Sequence, residues 1–258
     1  MQRMHEGRPF HGRSVVITGA ARGLGRALAL AFAREGAKVL VHYGHAEAAA
    51  QELVREIEQQ GGQALALQAD LRSSAQVERL VSQAHAALGR FDVWVNNAGA
   101  SANTTETGGL SEEERFERLL QVDVLGTWRC CRAAVPLMSS GGCILNVAWN
   151  HALDGAPGFV SQVYATAKGA VIALSRCLAR ELAPQLRVNC IAPGWIENDW
   201  ARSRPAGFRE RVAERIPLRR WGQADDVVAA ALFLTSPAAS FITGQVLIID
   251  GGEVIGAF

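Results

Sequence analysis

The sequence predicts an α/β fold: a doubly wound parallel sheet of seven strands with helices on both faces. Three observations predict it. Short runs rich in Val, Ile and Leu alternate with longer stretches of helical apolar spacing along the whole chain. Most of the short runs are apolar throughout, with no period of two, as strands buried on both faces are. The chain has 258 residues and is 49% hydrophobic, enough for one substantial core, so a single domain over 1–258 is expected.

The elements follow in order. SVVITG (14–19) is β-branched, apolar and closed by glycine, a first strand. LGRALALAFAREG continues at helical spacing, with Gly36 as its stop. KVLVHY is the second strand, and AEAAAQELVREIEQQGG is an alanine-rich helix closed by Gly61. ALALQAD is a strand, SAQVERLVSQAHAALG a helix with a serine start, and DVWVNNAG the fourth strand. SEEERFERLL opens a longer helix, with Ser111 as N-cap and acids in the first turn, where the helix dipole favours them. ILNVA, a long helix over about 160–182, RVNCIAPG, the helix DVVAAALFLTS and the strand QVLIIDGG complete the series. No linker, repeat or low-complexity segment interrupts it. The one composition shift is 199–220, which carries seven arginines and reads as an excursion from the sheet.

Bulk properties exclude several functions. A net charge of +1 provides no global field for nucleic acid or an anionic membrane. No apolar run reaches the ~18 residues of a membrane span. The opening MQRMHEGRPFHGR is polar and is expected to be an arm before the first strand, not a secretory signal. The five cysteines have no metal-like spacing and suit reduced thiols in a cytoplasmic protein.

The first strand runs into Thr18-Gly19-Ala20-Ala21-Arg22-Gly23-Leu24-Gly25. Glycines between a strand and a helix let the backbone approach a pyrophosphate, which the helix N-terminus attracts. The competing explanation is a tight turn that uses glycine for packing alone. About twenty residues on, where NAD sites commonly place an acid for the ribose 2′-hydroxyl, stand His42-Tyr43-Gly44-His45. Without a carboxylate there, and with Arg22 inside the turn, a 2′-phosphate is favoured: NADP(H) is preferred, with NAD(H) as the alternative. Tyr43 is an expected cofactor contact, and His42 and His45 either assist or are surface residues.

The spacing G-x-x-x-G-x-G resembles the cofactor motif of the short-chain dehydrogenase/reductase family, a Rossmann-type fold, and the resemblance extends over nearly the whole chain. Asn96-Asn97-Ala98-Gly99 resembles the family's NNAG element. Asp70-Leu71 matches its adenine-holding acid, Tyr164 and Lys168 its YxxxK, and Pro193-Gly194, followed by Ile196, its PG segment. The ending from Pro217 to Gly252 is most similar to the β-ketoacyl carrier-protein reductase branch. The resemblance implies an oxidoreductase that interconverts a carbonyl and a secondary alcohol. It implies that Tyr164 exchanges the proton with the substrate oxygen, and that Lys168 tunes it and binds the nicotinamide ribose. A phenol titrates near ~10, so the neighbouring ammonium is expected to lower its pKa. A homotetramer is also implied, and 195–216 as a lid over a small-molecule substrate, with Trp195 and Trp200 as walls.

Two departures stand out. The family carries a serine after the fifth strand that orients the substrate oxygen. Counting from Asn146 places it at Trp149, counting back from Tyr164 places it at His151, and no serine occurs from 144 to 160. Asn150, His151 or the Trp149 N–H serves as donor, or the substrate brings its own polar group, or the chain binds dinucleotide and catalyses little. His151 is the expected donor or substrate contact and Trp149 the expected wall. The second departure is Asp123, where the family has an asparagine in its proton relay; a carboxylate there favours a charged Lys168. The alternatives to an oxidoreductase are a non-catalytic dinucleotide-binding or regulatory protein and a non-redox enzyme such as an epimerase, against which the short chain counts.

Overall fold

The computed structural model describes residues 8–100 and 108–254. Most of the expected N-terminal arm lies outside the described residues. Its end is anchored: Phe10 is fully buried, with its ring edge-on to Phe32 at 4.9 Å.

Seven strands form one sheet: β1 (Ser14–Ile17), β2 (Lys38–Tyr43), β3 (Gln63–Gln68), β4 (Phe91–Asn96), β5 (Met138–Val147), β6 (Leu186–Pro193) and β7 (Val246–Ile249). Their order is β3-β2-β1-β4-β5-β6-β7, and every neighbouring pair is parallel. The chain winds outward from β1 to β3, then returns to the other side of β1 with β4. That reversal opens a crevice at the carboxyl ends of β1 and β4, where open α/β sheets bind ligands.

Both faces of the sheet are apolar because both are covered. Val15, Ile17, Val39 and Val41 pack against α1 (Gly23–Arg34), α2 (Glu47–Gln59) and α9 (Ala224–Thr235). Val16, Leu40, Trp94 and Ile144 pack on the other side against α3 (Ser74–Leu88), α5 (Thr127–Ala134) and α6 (Phe159–Leu182). Successive strand residues point to opposite faces, so two cores require unbroken apolar runs.

The helix after Ser111 starts as its sequence suggests. In α4 (Glu112–Leu119), the Glu114 N–H donates to Ser111 Oγ at 3.2 Å, and the Ser111 N–H donates to Glu114 Oε2 at 2.7 Å. It then widens into a π-helical segment over Leu120–Gly126 before resuming as α5. β5 begins at Met138, earlier than its apolar run, and its pairing with β4 shifts register between Phe91 and Val93.

A buried polar chain ties α6 to the sheet. Trp94 Nε1 donates to Asn96 Oδ1, Asn96 Nδ2 to Asn146 Oδ1, and Asn146 Nδ2 to Ser175 Oγ, each at 2.8 Å. Ser175 Oγ then donates to the Val171 carbonyl at 2.7 Å. Each buried group in this chain finds a partner, so β4, β5 and α6 are held in one alignment.

The arginine-rich excursion has a core of its own. Around α7 (Asp199–Arg202) and α8 (Ala206–Arg215), Ala201, Val212, Ile216 and Trp221 are buried against Trp195, Trp200 and Phe208. The Trp195 and Trp200 rings stack at 6.3 Å, and Trp195 meets Trp221 at 5.2 Å. Arg209 pairs with Glu197, and Arg220 with Asp226.

Candidate active site

The turn after β1 and the loop after β4 are knotted together. The Asn97 and Ala98 N–H groups both donate to Thr18 Oγ1 at 3.0 Å, and Asn97 Nδ2 donates to the carbonyls of Thr18 (2.9 Å) and Gly19 (3.1 Å). Gly19 has φ +64°, and a Cβ there would lie 2.8 Å from Ala98 Cα. A Cβ on Gly25 would lie 2.5 Å from Asn97 Nδ2. Both glycines therefore serve packing, which leaves the turn's backbone tight against the crevice. The N-terminus of α1 has no side-chain cap and no acid in its first turn, so its N–H groups remain available to an anion.

A cleft of about 470 Å³ opens there. Of the expected cofactor residues, Gly19, Arg22, Leu24, Gly25, Asp70, Leu71, Asn97, Ala98 and Gly99 line it. Gly23 sits in the same turn with φ +54°. Arg22 is exposed and makes no ion pair among the described residues. Asp70 is already engaged: Arg72 Nη2 lies 2.6 Å from its Oδ2, and this guanidinium holds the carboxyl below its ordinary pKa. Arg72 also lines the cleft, which the sequence reading missed.

Two expectations need correction. Tyr43 is buried in the core with α1 and α2 and does not line the cleft, while His42 and Gly44 do. Alternation explains it: Tyr43 follows Val39 and Val41 onto one face, and His42 follows Leu40 onto the other. Nor is His42 a surface residue. Only 2% of it is exposed; its Nδ1 accepts from the Gly19 N–H at 3.1 Å, and its Nε2 lies 3.0 Å from the Ala69 carbonyl. That pattern needs a neutral ring protonated at Nε2. Burial lowers its pKa to about 4, outweighing the Ala69 contact. Pro193 ends β6. Gly194 follows, where a Cβ would lie 2.6 Å from Asp250 Cβ. Ile196 bridges to Gly222 and lines a separate groove.

Behind the cleft wall lies the charged pair. Lys168 Nζ is 2.8 Å from Asp123 Oδ2, with side chains only 4% and 0% exposed. Lys168 Nζ also donates to the Val147 carbonyl at 3.2 Å, and the Ala100 N–H donates to Asp123 Oδ1 at 2.7 Å. The place a Gly99 Cβ would occupy is 3.0 Å from Asp123 Oδ2 and 3.4 Å from Lys168 Nζ, so only a glycine backbone separates this pair from the cleft. Asp123 sits in the π-helical segment, a feature frequent at functional sites. Tyr164 lies one turn before Lys168 on α6, with Nζ 5.5 Å from its ring centre. Burial lowers the Lys168 pKa, but Asp123 and Tyr164 outweigh it, and the ammonium stays above its ordinary value. Burial raises the Tyr164 pKa, Lys168 opposes this, and Asp123 adds to the rise. The expected lowering by Lys168 is thus overridden.

At the end of β5, the Trp149 ring meets Tyr164 at 5.3 Å and His151 at 5.1 Å. His151 Nε2 lies 3.4 Å from Glu253 Oε1, which also accepts from Trp195 Nε1 at 2.9 Å. Asn150 Nδ2 donates to Asp250 Oδ2 (3.2 Å) and Glu253 Oε2 (3.0 Å). The sequence reading missed both acids, because they lie about a hundred residues away and no local pattern marks them.

Among the described residues, no helix is long and apolar enough to cross a membrane, and no cluster of His, Cys, Asp or Glu could hold a metal ion.

The His42 contacts predict a pH-dependent stability. Below about pH 6.5 the unfolded chain takes up a proton on this imidazole, while the folded chain does not until about pH 4. The contribution is complete above pH 6.5 and falls across that window by about 3 kcal/mol. His42→Gln keeps a donor and an acceptor without the titration. Its unfolding free energy should therefore gain about 3 kcal/mol on the wild type between pH 7 and pH 4; a constant difference in denaturant melts would contradict the assignment.

The sequence matches a family model described as enoyl-(acyl carrier protein) reductase over residues 19–253. It is 37% identical over 249 residues to an uncharacterized oxidoreductase of Methylorubrum extorquens, covering 94% of this chain and 98% of the relative. It is 36% identical to a 3-oxoacyl-[acyl-carrier-protein] reductase of Synechocystis sp., covering 93% and 96%. Among solved structures, a short-chain dehydrogenase from Burkholderia cenocepacia in complex with NADP superposes with a TM-score of 0.86 at 32% identity, covering 95% of this chain and 99% of that one. With a seven-stranded parallel sheet and relatives along almost its whole length, the chain belongs to the short-chain dehydrogenase/reductase family of oxidoreductases.

Proposed function

We propose that the protein is an NADP(H)-dependent reductase that interconverts a carbonyl and a secondary alcohol, with Tyr164 as the acid–base group. One observation carries this reading: a phenol and a buried ammonium, one helical turn apart, lie just behind the Gly99–Ala100 wall of a cleft shaped for a dinucleotide. The Tyr164 hydroxyl makes no hydrogen bond among the described residues, so its proton is available to a substrate oxygen.

The residues fit the cofactor. The uncapped start of α1 at Gly23, Leu24 and Gly25 would hold the pyrophosphate, and Gly19 gives it close approach. Arg22, exposed and unpaired, would hold the 2′-phosphate, and the loop after β2 beside it offers the exposed His45 instead of an acid, His42 being spent on Gly19 and Ala69. Asp70 and Leu71 would border the adenine; Asn97, Ala98, Gly99, Pro193 and Gly194 would flank the nicotinamide side, while Ile196, also expected there, faces the separate groove. The cofactor, when bound, supplies or accepts the hydride at the substrate carbon.

The chain's own residues handle the proton. In reduction, Tyr164 Oη gives its proton to the substrate oxygen; in oxidation it takes one back. Lys168 stays charged in both, held by Asp123 and the Val147 carbonyl, and would also hold the nicotinamide ribose. The segment 195–216 serves as the substrate lid, which its separate aromatic core after β6 supports. Unpaired cysteines support a cytoplasmic setting. A homotetramer is supported by apolar residues left exposed near the β7 edge, Phe233, Phe241 and Leu247.

A second reading, dinucleotide binding without turnover, is favoured by the indole that packs beside Tyr164 in place of a hydroxyl. Tyr164→Phe separates the two. NADPH oxidation should be measured on a panel of carbonyls led by acetoacetyl-coenzyme A, since relatives are named 3-oxoacyl reductases. The variant should lose turnover by at least about a hundredfold while binding NADPH normally; a wild type inert on the whole panel would favour the second reading.

Two further outcomes follow. Arg22→Ala should weaken NADPH by about ten- to a hundredfold and leave NADH nearly unchanged, read by fluorescence titration. Asp123→Asn removes a charge that raises the Tyr164 pKa, so the limb of the kcat profile that reports this phenol should move to lower pH. An unmoved or upward-shifted limb would contradict the electrostatic role of Asp123.

A further inference from the structure

We infer that Trp149 is the second hydrogen-bond donor to the substrate oxygen, its indole N–H filling the role that a serine hydroxyl has elsewhere in the family. The inference rests on the reading of Tyr164 given above. Three side chains at the end of β5 carry a suitable donor: Trp149, Asn150 and His151.

Asn150 is 1% exposed, and its amide nitrogen is spent on Asp250 Oδ2 and Glu253 Oε2. The group it leaves unpaired is Oδ1, an acceptor, the wrong polarity for a carbonyl oxygen. His151 turns its Nε2 toward Glu253 Oε1, a carboxylate that Trp195 also engages. Glu253 therefore draws two of the three candidates toward the carboxyl end of β7.

Trp149 remains. Its ring is in edge contact with the Tyr164 ring, 5.3 Å between centres with planes at 65°. Its Nε1–H makes no hydrogen bond to any described residue and is not among the sealed, unpaired buried atoms. It is thus an unspent donor on a half-buried ring that packs against the ring of the phenol that exchanges the proton. An indole N–H donates only and does not titrate, which suits an oxygen whose charge grows as the hydride arrives. The proton balance stays with Tyr164: its Oη–H bond breaks, an O–H bond forms on the substrate, and Trp149 keeps its hydrogen.

The test is a set of variants assayed with NADPH and acetoacetyl-coenzyme A, each checked for its fold by thermal melting and for NADPH binding by titration. Trp149→Phe keeps the ring and deletes the donor; its kcat should fall about a hundred- to a thousandfold with NADPH affinity retained. Trp149→Ser restores a donor and should exceed the Phe variant at least tenfold. His151→Ala should lose at least tenfold less than Trp149→Phe. Wild-type kcat in Trp149→Phe would overturn the inference while leaving the Tyr164 reading intact, as would a larger loss in His151→Ala. If the Phe variant does not fold, Trp149→Ser decides: activity within about tenfold of wild type supports the donor role, and a folded, NADPH-binding but inactive protein overturns it. A wild type inert on every carbonyl overturns both readings.

Discussion

Lys168 and Asp123 face each other at 2.8 Å with almost no access to water, and the rest of the site is arranged around that contact. Two charges taken out of water cost several kcal/mol each unless paired and further hydrogen-bonded. Here the further bonds exist: the Val147 carbonyl on the cation, the Ala100 N–H on the anion. Those groups belong to the end of β5 and to the loop after β4, so satisfying the pair fixes both beside α6. The π-helical turn at Leu120–Gly126 carries Asp123 to that meeting point. The Tyr164 proton is consequently governed by a balance. Burial holds the proton on the phenol, Lys168 favours the phenolate, and Asp123, by answering that charge, adds to the hold.

The crevice beside the pair depends on a second set of contacts. Thr18, Gly19, Asn97 and Ala98 close the switch point between β1 and β4, and His42 ties the same turn to the end of β3. Glycine at 19 and 25 is required by neighbours that leave no room for a side chain. The backbone available to a pyrophosphate is therefore held by packing before any ligand arrives. A preorganised turn loses less conformational entropy on binding than a loose one.

Much of this was legible because it is local. Unbroken apolar runs such as SVVI and KVLV mark strands covered on both faces, Ser111 with Glu114 marks a helix start, and the glycines mark the turn. What was not legible is long-range or parity-dependent. Asp250 and Glu253 reach Asn150 across about a hundred residues, and nothing in their own neighbourhood marks them as partners. The π-helical widening at Asp123 leaves no compositional trace, because one extra residue in a turn changes no residue type. The exchange of roles between His42 and Tyr43 did have a signal: counting by two from Val39 sends Tyr43 into the core and His42 to the cleft. The spacing of Tyr164 and Lys168 gave the sign of the lysine's own effect, but the net shift is upward because burial, which no local spacing reveals, outweighs it, with Asp123 adding to the rise from another helix.

The missing hydroxyl is better understood from the C-terminal strand than from its own position. The carboxylates after β7 bind the turn that follows β5: Asp250 and Glu253 hold the Asn150 amide, and Glu253 engages His151 and Trp195. This clamp orients the turn so that Trp149, the residue just before it, lies against Tyr164. A serine in that place would occupy little volume and leave the reacting oxygen's flank open. An indole covers that flank with a flat apolar surface and brings a donor that never ionises. In the reading proposed above, that exchange would narrow what can sit beside the carbonyl, because a substituent on that side would lie along the ring. If Trp149 is the donor proposed above, substrate choice would depend on the Asp250–Glu253 clamp: loosening it would free the indole, and with it both the donor and the wall.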